Sequence, residues 1–275
     1  MKNTFKWMFA AILICGLTVS SCKKDPQPTP DPEPTTQTVL TGIVGTDVLT
    51  YGDVTYSFEY DSNYRVTRSL FYQTNDNFAH LDLHFTYSEG HISAECHATG
   101  KTFECTLDDE GRITHYVRTR DINDTIHDIT TADFTYDAEG HLISKYTISN
   151  DPDAQGASVN FVWEGDELKE RNTEDGLITD EFEISEAPAQ VMLDKFGFDN
   201  ELSALSAQGC FGKLPAHMPS KSTKATHIAG VPFIVRVDEY TYTVDANGRL
   251  ATMVEMYGAP DDNLTANYTF NWEER

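Results

Sequence analysis

The sequence predicts an all-β fold, in which an antiparallel meander of repeated hairpins curls into a soluble barrel or half-barrel. One sequence pattern, here called the phrase, recurs along the chain. It consists of an aromatic-rich run in which apolar and polar residues alternate, an acidic turn, and a second alternating run. Alternation with period two is typical of strands with one buried face, and a turn signal between two such runs is typical of a hairpin. Phe, Tyr and Trp make up 11% of the 275 residues, which suits strands. Copies of the phrase begin at Tyr56, Phe85, Phe103, Phe134, Val159 and Tyr242. Six hairpins predict about a dozen strands, a number at which sheets tend to close or split.

The first 21 residues are typical of a signal peptide. Lys2 and Lys6 precede the apolar run Trp7–Val19, which is shorter than the ~18–20 residues that span a bilayer. Residues 17–22, Leu-Thr-Val-Ser-Ser-Cys, resemble a lipobox, in which the cysteine thiol receives a diacylglycerol and the chain is cleaved before it. We therefore expect residues 1–21 to be removed and Cys22 to carry the acyl chains that hold the protein on a membrane.

Residues 22–38 are expected to form a tether between that anchor and a single β-meander or barrel domain, residues 39–275. Prolines that alternate with polar residues favour polyproline II, which extends by about 3.1 Å per residue. Lys23-Lys24-Asp25 resembles the export tag of surface-exposed lipoproteins in Gram-negative bacteria. The expected location is the cell envelope, as an outer-membrane lipoprotein displayed on the cell surface. The prolines of the tether are Pro26, Pro28, Pro30, Pro32 and Pro34.

The turns of the hairpins have a readable chemistry. In Asp108–Gly111, Asp137–Gly140 and Asp245–Gly248, the Asp side chain can cap the turn and the glycine supplies a left-handed conformation. The first hairpin, from Tyr56 to Tyr72, has no glycine in its turn.

These hairpins look like YD-type repeats, and residues 40–275 resemble a family of lipoproteins of unknown function described as having a porin-like fold. The resemblance rests on the aromatic-Thr-aromatic-Asp-x-x-Gly phrase and on Gly-Lys-Leu-Pro-Ala-His-Met-Pro-Ser from Gly212. It implies a fold and no chemistry. We expect a soluble barrel rather than a membrane pore, because the apolar strand faces are interrupted and a lipid anchor would be redundant on a pore.

Charge is distributed unevenly. The formal net charge is −24, which opposes binding to nucleic-acid phosphates. However, residues 202–237 contain no Asp or Glu, and we expect a short helical or irregular insert near residues 187–232, with a short helix over Pro188–Phe196. Either the segment contacts an anionic ligand or a partner, or it crosses the barrel end and its cations neutralise nearby carboxylates. The candidate contact residues are Lys213, His217, Lys221 and Lys224.

Cysteine usage suggests one disulfide. A two-residue turn at Gly100-Lys101 would place Cys96 directly across from Cys105, at a spacing that allows a cross-strand disulfide in an oxidising compartment. The alternative is a reduced, buried pair, and Cys210 would remain unpaired.

A histidine-rich strand face is a weak candidate for a metal site. Imidazoles and carboxylates on paired strands lie about 5 Å apart and can converge on a Zn²⁺-like ion, although any polar strand face shows this spacing. The residues are His80, Asp82, His84, His91, Glu95 and His97. A solvated face is the simpler interpretation, and no metal is expected.

Function is the least determined property. No nucleophile elbow, zincin helix, phosphate loop or dinucleotide fingerprint occurs, so we expect no cofactor and rank an enzyme last. The first expectation is binding of a glycan, a small apolar ligand or a partner protein, in the barrel mouth or under residues 202–237. The second is a structural or accessory subunit of an envelope complex that docks another chain on a sheet edge.

Overall fold

The structure, a computed structural model, describes residues 36–48, 51–74, 79–123, 126–191, 198–199, 201–228, 231–258 and 264–275. Within these ranges the chain forms a closed barrel of sixteen antiparallel strands. Each strand pairs with its neighbours in sequence, and the last pairs with the first, so the predicted antiparallel barrel is confirmed. No helix among the described residues is long and apolar enough to cross a membrane. The expected signal peptide, Cys22 and nearly all of the tether lie outside the described residues.

The strands follow one another without a crossover. They are β1 (Thr38–Val48), β2 (Gly52–Tyr60), β3 (Val66–Gln73), β4 (Ala79–Ser88), β5 (His91–Cys96), β6 (Lys101–Leu107), β7 (Ile113–Asn123), β8 (Ile126–Tyr136), β9 (Leu142–Ser149), β10 (Ala157–Glu164), β11 (Glu167–Thr173), β12 (Ile178–Pro188), β13 (His217–Ile228), β14 (Val231–Val244), β15 (Leu250–Gly258) and β16 (Leu264–Glu274). The six repeated phrases supply twelve of them. The other four, β1, β12, β13 and β16, raise the predicted dozen to sixteen.

The barrel is apolar inside and polar outside. On β6, Phe103 and Cys105 point inward and are fully buried, whereas Thr102 and Glu104 alternate with them on the exposed face. A membrane-spanning barrel shows the reverse arrangement, with its apolar side chains facing out toward lipid.

A capped turn recurs four times at one end of the barrel. In the copy that begins at Asp137, Oδ1 accepts hydrogen bonds from the backbone N–H of Glu139 (3.1 Å) and of His141 (2.7 Å). The residue at the glycine position has a positive φ in every copy, including Tyr64, whose φ is 61°. The first hairpin therefore makes the same turn without a glycine. The copies span 61–65, 108–112, 137–141 and 245–249.

Aromatic side chains link neighbouring hairpins just beyond these turns. The Tyr87 hydroxyl donates to the carbonyl of Val66 at 2.8 Å, and the Trp272 indole N–H donates to the carbonyl of Leu250 at 2.7 Å. Tyr136 and Trp163 make equivalent bonds to Ile113 and Leu142. Each bond satisfies a polar atom of a partly buried ring and fixes the ring against the strand pair before it.

Between β12 and β13 lies an insert, whose described residues are 189–191, 198–199 and 201–216. Its buried side chains lie in the barrel interior at the same end as these turns, here named the insert end. A short 3₁₀ helix at Ser203–Gln208 belongs to its described part. The insert is shorter than predicted, because residues 217–228 and 231–232 belong to strands. Pro188 ends β12 rather than opening a helix, and residues 192–197 of the expected helix lie outside the described residues. The opposite end of the barrel is the far end.

Four large side chains of the insert fill the barrel interior. Phe198, Leu202, Leu205 and Phe211 are all buried, with exposed fractions of 2% or less. The ring of Phe198 meets that of Phe161 at 5.4 Å between centroids, edge to face. Since close-packed side chains occupy this part of the barrel, it is a core rather than a channel.

The predicted pairing of Cys96 with Cys105 is wrong. The hairpin loop covers residues 97–100, so Cys96 lies opposite Lys101 and Cys105 lies opposite Ile92. Four residues of strand separate the two cysteines, about 13 Å at the usual rise, which exceeds the Cα distance that a disulfide can bridge. Cys96, Cys105 and Cys210 are all free and buried.

Candidate functional site

A cavity of about 780 Å³ lies at the insert end of the barrel. Its walls come from the ends of β1 to β6 and of β16, from the turns at 61–65, 108–112 and 245–249, and from the insert. Such volumes fall within the roughly 300–1,000 Å³ range of small-molecule sites. Four aromatic rings line it: Tyr60, Tyr64, Tyr87 and Trp272.

The polar atoms of those four rings are bound to backbone carbonyls. Tyr60 donates to Leu40 at 2.6 Å, and Tyr64 donates to Arg275 at 2.9 Å. Tyr87 and Trp272 make the linking bonds described above. Burial is the main cause that raises the pKa of Tyr60 to about 12, and it raises the pKa of Tyr87 further. Tyr60 and Tyr87 are therefore neutral. The hydrogen bonds fix all four rings, which offer the cavity apolar ring surface.

Two glutamines of the insert are tied to the turns around the cavity. Gln208 donates to the carbonyl of Tyr64 at 3.4 Å and accepts from the Tyr87 hydroxyl at 3.1 Å. Gln190 donates to the carbonyl of Gly248 at 3.3 Å and accepts from the N–H of Leu250 at 2.9 Å. These bonds hold the insert against the turns, so the cavity is preformed.

Two arginines at the cavity belong to the capped turns. The guanidinium of Arg65 lies 2.7 Å from Asp61 and stacks over the Tyr87 ring at 4.5 Å, and Arg249 lies 2.6 Å from Asp245. Hydrogen bonds from the Arg249 backbone and side chain hold the pKa of Asp245 below its usual value. The arginines are thus paired and oriented, and they present N–H groups at the rim.

The described lining of the cavity offers few groups for acid–base or nucleophilic chemistry. The described residues that line the cavity include no Asp, Glu or His, so no general acid–base pair is present among them. Cys210 also lines the cavity, but burial raises the pKa of its thiol to about 11, which leaves the thiolate scarce at neutral pH.

The predicted contact residues of the acid-free segment lie elsewhere. Lys213 pairs with Asp166 at 2.6 Å, His217 with Glu167 at 2.6 Å, and Lys221 with Glu183 at 2.9 Å. Lys224 is exposed on β13, opposite Asp180 and Arg236. The structure does not gather these four residues into one site, and three of them sit beside carboxylates, as the charge-neutralisation alternative describes.

The histidine face converges only in part. Asp82, His84 and His97 offer ligand atoms that all lie within 4.8 Å of one another, and the rings of His84 and His97 stack at 4.0 Å. Such a set can hold a metal ion, but Arg68 already binds both oxygens of Asp82, at 2.7 and 3.1 Å. The other candidates have their own neighbours: His80 bonds Gln73, His91 pairs with Glu104, and Glu95 lies 3.8 Å from His97.

Few of the cavity residues could be recognised from local sequence. Tyr64 carries a usable signal, because the run Asp-Ser-Asn-Tyr-Arg aligns with the Asp-x-x-Gly turns and places a ring at the glycine position. Gln190 and Gln208 carry none, since isolated glutamines in an irregular segment resemble any surface amide.

The fold has known counterparts. The sequence profile of a domain of unknown function, DUF4595, described as having a porin-like fold, matches residues 54–252. A porin-like protein from Bacteroides uniformis superposes with a TM-score of 0.63 at 13% identity, covering 85% of this chain and 98% of that one. A porin-like protein from Bacteroides vulgatus gives 0.59 at 10% identity, covering 86% and 99%. At these identities the likeness concerns the fold alone. No curated protein matches the sequence significantly.

Proposed function

The chain belongs to the DUF4595 family with a porin-like fold, and because that family provides a fold without an activity, we propose a function from the cavity at the insert end. The protein is a glycan-binding lipoprotein of the bacterial cell envelope. It is anchored through acyl chains on Cys22 and displayed on the outer membrane. Its ligand lies against the rings of Tyr60, Tyr64, Tyr87 and Trp272.

One observation carries the proposal: four aromatic rings, each with its polar atom bound to the backbone, surround a cavity of about 780 Å³. Ring faces with satisfied polar atoms suit the apolar C–H surface of a sugar, while amides and guanidinium N–H groups at the rim suit its hydroxyls. The filled interior argues against a small apolar ligand inside the barrel, because Phe198, Leu202 and Leu205 occupy that space. The absence of carboxylates from the described lining argues against glycan hydrolysis, which uses a pair of them.

The edge-docking accessory subunit is less well supported. Because β1 pairs with β16, every strand of the described barrel has a neighbour on both sides. Closure of this kind removes the free edges on which another chain would add a strand.

The binding test is calorimetric titration with a panel of bacterial and plant oligosaccharides, preceded by a thermal-shift screen. Tyr64→Asn removes one ring and keeps a residue that tolerates positive φ, so the turn is preserved. For a glycan that binds the parent protein, we expect Kd to rise about tenfold, equivalent to about 1.4 kcal/mol. Tyr146→Asn, on the outer wall at 41% exposure, is the control and should leave Kd unchanged. If no glycan binds, or if both variants bind equally well, the proposal fails.

The anchor has a separate test. Cells grown with radiolabelled palmitate should incorporate label into the native protein and not into Cys22→Ala, whose product should also leave the membrane fraction or accumulate unprocessed. Equal labelling of the two proteins would contradict the anchor without touching the glycan result.

A further inference from the structure

The hairpin of β13 and β14 carries an exposed apolar tip at the far end of the barrel. Ile228, Val231, Phe233, Ile234 and Val235 are each more than half exposed, with Ile234 highest at 67%. Soluble proteins expose single apolar side chains routinely, but a contiguous group of this size marks an interaction site.

Both faces of the hairpin contribute to the tip. Phe233 and Ile234 are consecutive in a strand and pair with Thr226 and Ala225, so their side chains point to opposite faces of the sheet, and Val235 is the extra residue where the register shifts. All three are exposed, which shows that this part of β14 is covered on neither face. Ala225 and Thr226 lie opposite Ile234 and Phe233 on the partner strand.

The apolar surface extends onto the neighbouring hairpin. The backbone N–H of His227 donates to the carbonyl of Leu177 at 2.8 Å, and Ile178 lies opposite Thr226. Leu177 is 51% exposed and Ile178 is 38% exposed, so seven apolar side chains share this rim.

The segment that carries most of the tip differs in charge from the whole chain. The formal net charge is −24, yet residues 202–237 contain no acidic residue and include Lys224, His227 and Arg236. Lys224 is exposed and lies opposite Arg236 in the ladder, below the apolar tip. Each has a carboxylate beside it: Asp180 lies opposite Lys224, and Asp238 lies 2.6 Å from Arg236. Basic residues behind an exposed apolar group are the pattern of segments that rest on a lipid surface with anionic headgroups.

We propose that this tip, residues 228 and 231–235 together with Leu177 and Ile178, inserts into the outer part of a lipid leaflet. A protein partner would cover one face of the hairpin and leave the other in water, whereas lipid chains surround a two-faced apolar tip on every side. This contact is separate from the acyl anchor and from the glycan cavity.

The test uses residues 23–275, which contain every strand of the closed barrel and no acyl group. Flotation with vesicles of phosphatidylethanolamine and phosphatidylglycerol (3:1) measures partitioning. We expect the parent protein to float with the vesicles and Phe233→Ser/Ile234→Ser to lose at least tenfold in partitioning. The matched control Ile148→Ser/Val162→Ser removes two exposed apolar side chains of the outer wall and should partition like the parent. Circular dichroism and thermal melts verify that all three proteins are folded.

A second measurement separates lipid insertion from other docking. In Phe233→Trp, the fluorescence of the new indole should shift to the blue on addition of vesicles and be quenched by brominated lipid chains, whereas Tyr146→Trp should show neither change. Three results would overturn the proposal: no flotation of the parent, equal flotation of the Ser/Ser variant, or a lipid-free dimer that this variant abolishes. The last would assign the tip to a second copy of the chain.

Discussion

Lys145 and Asp199 connect the barrel wall to the insert: the Lys145 Nζ lies 2.5 Å from Oδ2 of Asp199, inside the barrel. The Tyr116 hydroxyl donates to the same carboxylate oxygen at 3.0 Å. Close by, Glu201 pairs with Lys101 and Arg118. The insert is therefore held at its aromatic side by packing and at its acidic side by charged hydrogen bonds.

Removing the Asp199 carboxylate should destabilise the protein strongly. Asp199→Ala leaves Lys145 and Tyr116 without their acceptor in a mostly buried site, so we expect a loss of about 3 kcal/mol in the free energy of unfolding. Urea unfolding followed by circular dichroism measures it. Asp199→Asn keeps an acceptor and should lose less, and Glu164→Ala, at an 82% exposed side chain, should lose under about 0.5 kcal/mol. Equal midpoints for Asp199→Ala and Glu164→Ala would contradict this role.

Replacing a turn glycine should lower the free energy of unfolding because of its backbone conformation, and not because a β-carbon would clash with a neighbouring atom. Gly248 has a φ of 74°, and a Cβ at this position would meet no atom within 4 Å. Gly248→Ala should therefore cost about 1–2 kcal/mol from the left-handed backbone alone. Gly248→Asn, which tolerates that conformation better, should cost less in the same urea experiment. An alanine variant as stable as the parent would show that the turn relaxes.

Stability should fall in acid because of the capping aspartates. Backbone and side-chain hydrogen bonds hold the pKa of Asp245 below its usual value; for Asp61 and Asp137, similar bonds outweigh the opposing effect of burial. A pKa lowered in the folded state stabilises the fold above the unfolded value of about 3.9, and this stabilisation is lost as the pH falls through the folded value. Urea midpoints should be level from about pH 7 to 5 and fall below about pH 4. Asp245→Asn should flatten that fall relative to the exposed-loop control Asp153→Asn; identical pH profiles for the two would contradict the assignment.

The cysteines of the barrel should be reduced and unreactive until the protein unfolds. Burial is the main cause that raises the pKa of Cys105 to about 12, and Cys96 and Cys210 are buried with it. With residues 23–275, a thiol reagent such as dithionitrobenzoate should label no cysteine in native buffer and three in guanidinium. A Cys96–Cys105 disulfide found by mass spectrometry would show that the register of β5 and β6 differs from this one.

Local sequence patterns predicted the strands and turns. Barrel closure and the cavity depend on contacts between residues far apart in the sequence, which local patterns do not show. Alternation and the Asp-x-x-Gly signal were sufficient for twelve strands because both act within a few residues. Closure was not readable, since β1 and β16 pair across more than 200 residues without a local signal. The Cys96 prediction was wrong because Gly100 ends a four-residue loop instead of starting a two-residue turn.

The cavity could not be predicted from the sequence, because it too depends on contacts between distant residues. Tyr60, Gln190 and Trp272 meet only after the barrel has closed and the insert has entered it. The insert itself was recognisable because the hairpin pattern stops there and prolines and glycines become frequent. The sequence did not show whether the insert enters the barrel or covers its end. The buried Phe198 and Phe211 are too few to define an apolar face, so a lid and an internal core segment were equally compatible with the sequence.

Pairing of the first strand with the last has a consequence for biogenesis. Thr38 lies opposite Glu274, so β1 and β16 cannot pair along their full length until residue 274 has joined the folding chain. Until then the open sheet has two unpaired strand edges, which can pair with other molecules. Bringing two strands so distant in sequence together also has a cost in loop-closure entropy, which slows folding. A nonsense codon before residue 264 would thus yield an open, aggregation-prone sheet rather than a slightly smaller barrel, because closure requires β16.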